Sequence, residues 1–328
     1  MKSNNTETHD LVIIGGGPTG LACAIEAARQ KLDYLVLEKG VLVNSIFRFP
    51  TNMTFFSTSL NLEIGNVPFI SHVDKPTRKE ALEYYRRIFA SWDLKVKFYE
   101  EVLGMERLHE GFYKINTTKN TYRARAVVVA TGFYDQPRLM NVPGEELPKV
   151  KHFYDEAHPY VGQKVLVVGA ANSACDVALE TFYKGAEVTM AVRESGIYEK
   201  VKYWIRPNIE NRIKEGSIRA FFNTSVREIR PREVLLDTPD GEVVLENDFV
   251  LAMTGYQPDY GFLEKIGIEI QSDENRTPVM DEETFESNLP NVYLAGVVQA
   301  GLNTSKLFIE NTRHHGERIV AGVARLVN

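Results

Sequence analysis

Two glycine-rich segments, each followed at a fixed distance by one charged side chain, are the residues of this chain best suited to do chemistry. The first is Gly15-x-Gly17-x-x-Gly20, with Pro18 and Thr19 inside it and Glu38, then Lys39, 18 and 19 residues beyond the last glycine. This is the dinucleotide fingerprint: Gly15 permits the tight turn, Gly17 lets the backbone approach a pyrophosphate, and Gly20 lets the following helix pack closely. The helix N-terminus adds donors and positive potential, and Glu38 is placed to accept from ribose hydroxyls. The second segment is Gly169-Ala-Ala171-Asn172-Ser173-Ala174. Ala171 puts a methyl group where a pyrophosphate would approach, and Ala174 is an accepted substitute for the last glycine. Here the downstream residue is Arg193, 19 positions after Ala174. A carboxylate favours a free 2'-hydroxyl and a guanidinium favours a phosphate, so the change of sign points to NADPH rather than NADH. Lys200, Lys202 and Arg206 follow, either sharing that phosphate or forming a solvated basic edge.

The remaining reactive side chains form no recognisable catalytic set. Cys23 and Cys175 are the only cysteines, too few and too far apart for a disulfide framework or a Cys-x-x-Cys dithiol, and both read as small buried hydrophobes. Cys175 keeps a minor alternative, because the first turn of a helix lowers a thiol pKa. His314 and His315 are adjacent and so point to different faces of a helix, which is wrong for one metal ion. His152 and His158 show neither metal-ligand nor Ser-His-Asp spacing. No catalytic acid and no metal site is assigned.

Positioning these residues requires alternating strands and helices, and the order occurs twice. A strand from Asp10 to Ile14, a helix from Leu21 to Gln30 and a strand from Tyr34 to Leu37 frame the first turn. A strand from Lys164 to Val168, a helix from Cys175 to Lys184 and a strand from Glu187 to Ala191 frame the second. Each copy is closed by an apolar strand ending in Thr-Gly: Ala126–Ala130 before Thr131-Gly132, and Phe249–Met253 before Thr254-Gly255. A third apolar strand, Asn291–Ala295, precedes Gly296, and a helical pattern runs from about Ser305 to Leu326. Pro137, Pro143, Pro148 and Pro159 mark crossovers, so a domain boundary is expected within residues 117–162.

Composition sets the outer limits. The chain has 328 residues, enough for two domains or one large one, with 44 acidic and 38 basic side chains in interspersed order. No basic stripe is present for nucleic acid, and no apolar run approaches the roughly 20 residues of a membrane helix. Residues 1–9 are polar and read as a frayed terminus rather than a signal peptide; with so few cysteines the cytoplasm is the expected compartment.

Two dinucleotide sites of different charge preference imply that one dinucleotide reduces the other, and FAD with NADPH is the expected pair. At this point the sequence resembles the two-dinucleotide-binding-domain flavoproteins of the thioredoxin-reductase-like branch, and more narrowly the YpdA-type bacillithiol disulfide reductases. The resemblance rests on Gly15–Gly20, Leu37–Gly40, Thr54–Ser57, Leu62–Gly65 before Val67–Phe69, Ala130–Gly132, Glu156–Tyr160, Asn172–Ala174, Gly255–Tyr260, and Ala295–Val297 through Phe308–Asn311. It implies an α/β fold of two Rossmann-like domains, the NADPH domain (residues 121–255) inserted in the FAD domain (residues 1–120 and 256–328). By the same resemblance Thr54, Phe55, Phe56 and Ser57 lie against the isoalloxazine, although Phe55 and Phe56 equally suit an ordinary core. Gly296, Val297 and a helix starting near Thr304-Ser305 face the ribityl chain and pyrimidine edge. Electrons are expected to run from NADPH through FAD to a small-molecule disulfide or a small redox protein such as ferredoxin or flavodoxin. Flavin monooxygenase chemistry is a lesser alternative, since residues 151–160 match that family's linker poorly. A homo-oligomer is the expected assembly. Two departures stand out: Val297 replaces the Asp typical of two-domain flavoproteins, and Thr19 stands where the YpdA-type reductases carry their redox cysteine. A threonine hydroxyl forms no mixed disulfide, which puts that chemistry in doubt.

Overall fold

A computed structural model describes residues 7–327. The chain divides into two compact units, residues 1–136 with 256–328 and residues 137–255. The second boundary coincides with the expected 255/256 division, whereas the first lies at 136/137 rather than 120/121. The reason is the strand Thr121–Val129, which lies at the centre of the first unit's sheet. Its second half pairs in parallel with Glu7–Ile14 on one side and Val292–Leu294 on the other, so it cannot start another domain.

That sheet has seven strands, in the order Val96–Lys97, Tyr34–Leu37, Glu7–Ile14, Thr121–Val129, Tyr113–Thr117 and Val102–Arg107, with Val292–Leu294 also on Thr121–Val129. The long strand serves two partners in succession: residues 121–124 join an antiparallel meander with Tyr113–Thr117, and residues 127–129 pair with Val292–Leu294. Side chains alternate between two buried faces, as the period of a strand requires. Leu11 and Ile13 face a core with Leu21 and Ile25 of the helix Pro18–Arg29, Tyr85 and Ile88 of the helix Arg78–Ser91, and Ile319 and Val323 of the helix His315–Val327. Val12 and Ile14 face the opposite core, with Tyr113, Ile115, Leu263 and Ile266. Residues 7–9, expected to fray, are already strand and pair with Tyr122, Arg123 and Ala124; residues 1–6 lie outside the described residues.

The second unit has a five-stranded parallel sheet in the order Arg219–Phe221, Glu187–Ala191, Lys164–Val168, Phe249–Ala252 and Val150–Lys151. The helix Asn172–Tyr183 covers one face through Cys175, Ala178 and Leu179. An antiparallel meander, Ser225–Ile229, Glu233–Thr238 and Gly241–Glu246, covers the other through Val226, Val234 and Leu236. Both units are thus layered α/β folds built on parallel strands, as the repeated order predicts. Among the described residues no helix is long and apolar enough to cross a membrane.

Candidate functional site

Both glycine turns close against the end of their unit's Thr-Gly strand. Gly15 has φ +109°, and a Cβ there would lie 2.5 Å from the Ala130 carbonyl oxygen. Gly169 has φ +118°, and its Cβ would lie 2.6 Å from the Met253 oxygen. Only glycine accepts this backbone at so close an approach. Both helices start inside their fingerprints, at Pro18 and Asn172, a turn earlier than the apolar pattern suggests. Their caps, Gly17 and Ala171, are extended residues without a side-chain cap, so the first-turn N–H groups are left for a ligand.

In the first unit Glu38 is buried and each of its oxygens takes one backbone N–H, from Gly16 and from Gly40, both at 2.7 Å. Burial raises its carboxyl pKa, and these two bonds oppose the rise. The carboxylate therefore holds the loop 38–40 against the glycine turn, and each oxygen keeps a lone pair free for a further donor. Lys39 is turned away to an ion pair with Asp135, 2.9 Å. A Cβ on Gly17 would meet nothing within 4 Å, leaving the space that the fingerprint reserves for a pyrophosphate. The Thr131 hydroxyl is buried without a hydrogen-bond partner among the described residues, whereas its counterpart Thr254 donates to the Arg138 carbonyl, 2.6 Å. An orphaned buried hydroxyl at the mouth of an open glycine turn is what a site built for a polar ligand leaves behind.

Gly132 and Val297 are neighbours: a Cβ on Gly132 would lie 3.9 Å from a Val297 methyl. Gly296, with φ +86° and ψ −158°, sits in backbone space that is essentially glycine's alone. Its N–H donates to Nδ1 of His315, 3.2 Å, and a Cβ on it would lie 3.0 Å from the Thr19 hydroxyl oxygen. Thr312 donates to the Phe308 carbonyl, 2.9 Å, so the 2.9 Å bond between the two threonines has Thr19 as donor. The adjacency of His314 and His315 excludes a shared metal ion but gives His315 no role, and nothing in the sequence singles out Thr312. The structure places both under the glycine fingerprint. His314 is exposed and bonds Glu317, 3.3 Å.

Other expected flavin contacts divide. Phe55 is in the core beside Phe49, while Phe56 is exposed under the Lys75 ammonium; Thr54 bridges to Thr77. Thr304 and Ser305 do not begin a helix. Thr304 N–H bonds Leu302 and the Ser305 hydroxyl bonds Asn303, which keeps the chain in turns. Helix begins at Ile309, where Asn311 takes the Phe308 N–H, and the long C-terminal helix begins at His315.

In the second unit Arg193 is 86% exposed and pairs with the adjacent Glu194, and Lys200 is exposed with no ion-pair partner among the described residues. Lys202 and Arg206 are ion-paired, to Asp176 at 2.8 Å and to Glu210 at 2.7 Å. Asn172 accepts the Lys202 N–H, 2.9 Å. Both cysteines are 0% exposed, and burial raises each thiol to about 12. The helix start that could have activated Cys175 is outweighed by desolvation.

Residues 12–296 match the pyridine nucleotide-disulphide oxidoreductase family. The chain belongs to that family. As a pyridine nucleotide-disulphide oxidoreductase it is an enzyme that takes a flavin and a nicotinamide cofactor, and its two glycine turns fit two nucleotides. It is similar to the bacilliredoxin reductase Bdr of Bacillus subtilis, 45% identical over 97% of this chain and 98% of the relative. The solved bacillithiol disulfide reductases Bdr (YpdA) of Staphylococcus aureus and Bacillus cereus are 41% and 42% identical. Each superposes with a TM-score of 0.95 over 98% of this chain and all of the other. The YpdA-type resemblance read from the motifs holds over nearly the whole chain.

Proposed function

We propose that this oxidoreductase binds FAD in the first unit and NADPH in the second and reduces a small disulfide, with bacillithiol disulfide the first substrate to test. The observation that carries the reading is the pair of nucleotide turns in one chain with opposite downstream charges, the buried carboxylate of Glu38 and the exposed guanidinium of Arg193. Near full-length similarity to enzymes named for bacillithiol disulfide supports the substrate class. Gly15, Gly17 and Gly20 form the pyrophosphate cradle, with Thr131, Gly296 and Val297 at its far end. Bound FAD would supply the two-electron relay between nicotinamide and acceptor.

The protein's own contribution is positioning, because it offers no sulfur for exchange. A thiol held at about 12 in a fully buried position is neither ionised nor reachable at neutral pH, and Thr19 carries a hydroxyl. The overall reaction is NADPH + H⁺ + RSSR → NADP⁺ + 2 RSH, with no mixed disulfide to the enzyme. Such a reductant works in the cytoplasm, where thiols are kept reduced. The lack of a reachable thiol also favours one second reading, a small electron-transfer protein as acceptor, which needs no protein sulfur.

Anaerobic NADPH oxidation by the flavin-loaded enzyme, offered bacillithiol disulfide, other small disulfides, ferredoxin or flavodoxin, tests both. The expected result is disulfide turnover that survives N-ethylmaleimide and the Cys23→Ala/Cys175→Ala double substitution. Turnover only with a redox protein selects the second reading. Loss of disulfide turnover in the double variant, with flavin content intact, would show that a cysteine takes part.

A further inference from the structure

The loop that follows Arg193 is clamped onto the second glycine turn from three sides. Tyr198 N–H donates to the Ala170 carbonyl, 3.1 Å; Lys202 N–H donates to Asn172 Oδ1, 2.9 Å; and Lys202 Nζ reaches Asp176 Oδ2, 2.8 Å. Between the first two anchors the chain buries Val201 and leaves Tyr198 and Lys200 exposed. Asn172 and Asp176 are both on the first turn and a half of the helix that the nucleotide would face. The loop's three cations are thus in different states. Arg193 projects into solvent, paired with the carboxylate next door in sequence, Lys200 has no ion-pair partner among the described residues, and Lys202 is mostly covered and neutralised.

We infer that Lys202 is a positioning residue that staples the loop 193–204 to the second nucleotide turn, leaving Arg193 and Lys200 to discriminate for the 2'-phosphate. The assignment of discrimination rests on the NADPH reading above; the staple itself does not. A cation already held by a carboxylate and bonded through its own main chain has little field left for a phosphate, whereas its double attachment decides where the loop sits. Its contribution is to the fraction of molecules whose loop is seated, and that fraction scales the affinity for any dinucleotide alike.

The test is equilibrium binding of NADPH and of NADH to the flavin-loaded protein, reduced beforehand with dithionite and kept anaerobic so that no hydride is transferred, followed by nucleotide fluorescence. If loss of the staple leaves the loop seated about a tenth of the time, Lys202→Met raises both dissociation constants about tenfold and leaves their ratio unchanged. Asp176→Asn should do the same, and the Lys202→Met/Asp176→Asn double variant should be no worse than either single one, because both cut one link. Lys202→Arg, able to keep the ion pair, should restore most of the affinity. Arg193→Ala and Lys200→Met should instead weaken NADPH selectively, with a smaller salt dependence than the parent. A Lys202→Met variant that loses NADPH affinity while binding NADH normally would make Lys202 a phosphate ligand and overturn the inference, as would additive effects of the two single substitutions. A parent protein with no preference between the nucleotides would refute the NADPH reading while leaving the common-factor test of the staple intact.

Discussion

His315 should make the first unit acid-sensitive, by an amount that follows from its surroundings. The ring is 8% exposed, stacked on Phe285 at 4.5 Å between centroids, and accepts the Gly296 N–H at Nδ1. Burial, with help from the nearby Arg318 and His314 charges, lowers its pKa from 6.5 to about 4. The folded protein therefore keeps the ring neutral where the unfolded chain would already protonate it. The sign is a stability that is full above pH 6.5, falls as the pH drops towards 4, and changes no further below that value, where both states carry the proton. The largest slope is about 1.4 kcal/mol per pH unit, and the loss between pH 7.5 and 4.5 comes to about 2.5 kcal/mol.

Carboxylates also titrate in this range, so the quantity to measure is the difference between the parent and His315→Gln. The Gln side chain can accept the same N–H but takes no proton. The two tryptophans lie in different units, Trp92 in the first and Trp204 in the second, so Trp204→Phe leaves a reporter of the first unit alone. Urea titrations followed by Trp92 emission at several pH values should show His315→Gln less stable at neutral pH, through loss of the Phe285 stack, and gaining on the parent by about 2.5 kcal/mol by pH 4.5. A parent-minus-variant difference that stays flat across this range would refute the claim that the ring is buried neutral under Gly296.

Two further outcomes follow from the same corner of the first unit. Gly296→Ala must adopt φ +86° with its methyl 3.0 Å from the Thr19 oxygen; a stability loss of about 1–3 kcal/mol and reduced flavin content per chain are expected, and a fully flavin-loaded variant of parental stability would contradict this. Thr19→Cys exchanges the hydroxyl that donates to Thr312 for a weak donor, at a cost of about 1 kcal/mol, and should keep its flavin while gaining a thiol that slowly reacts with alkylating agents and small disulfides. Disulfide turnover identical to the parent's, with the thiol shown by mass spectrometry to be modifiable, would mean that residue 19 only fills space.

The parts of the fold that the sequence makes legible are those set by local rules. The strands Tyr34–Leu37, Lys164–Val168 and Glu187–Ala191 stand where their apolar runs put them, because a short run rich in β-branched and aliphatic residues between charged or turn residues has few other uses. The glycines of both fingerprints are legible for the same reason, since a turn with positive φ at a strand end accepts little else. The polarity change from Glu38 to Arg193 needs only a count from the last fingerprint residue.

What escaped sequence reading depends on partners far away in the chain. Nothing local shows that Thr121–Val129 is flanked by strands from both ends of the chain, so the place of the division within 117–162 is not legible in the sequence. Lys202 follows Arg193 and Lys200 like one more phosphate ligand, and only the packing of its loop onto the helix Asn172–Tyr183 brings it to Asp176. Thr19 meets Thr312 from 293 residues away, and His315 meets Gly296 across the return of the C-terminal helix. Residue type and spacing determined by themselves that this chain holds two glycine turns followed by charges of opposite sign, because those turns are built from consecutive backbone. Which hydroxyl is bonded, which imidazole stays neutral, which lysine is tethered and whether either thiol can react were decided by tertiary structure alone. Desolvation and pairing are properties of what the fold packs against a side chain, and neither is written in its neighbours along the sequence.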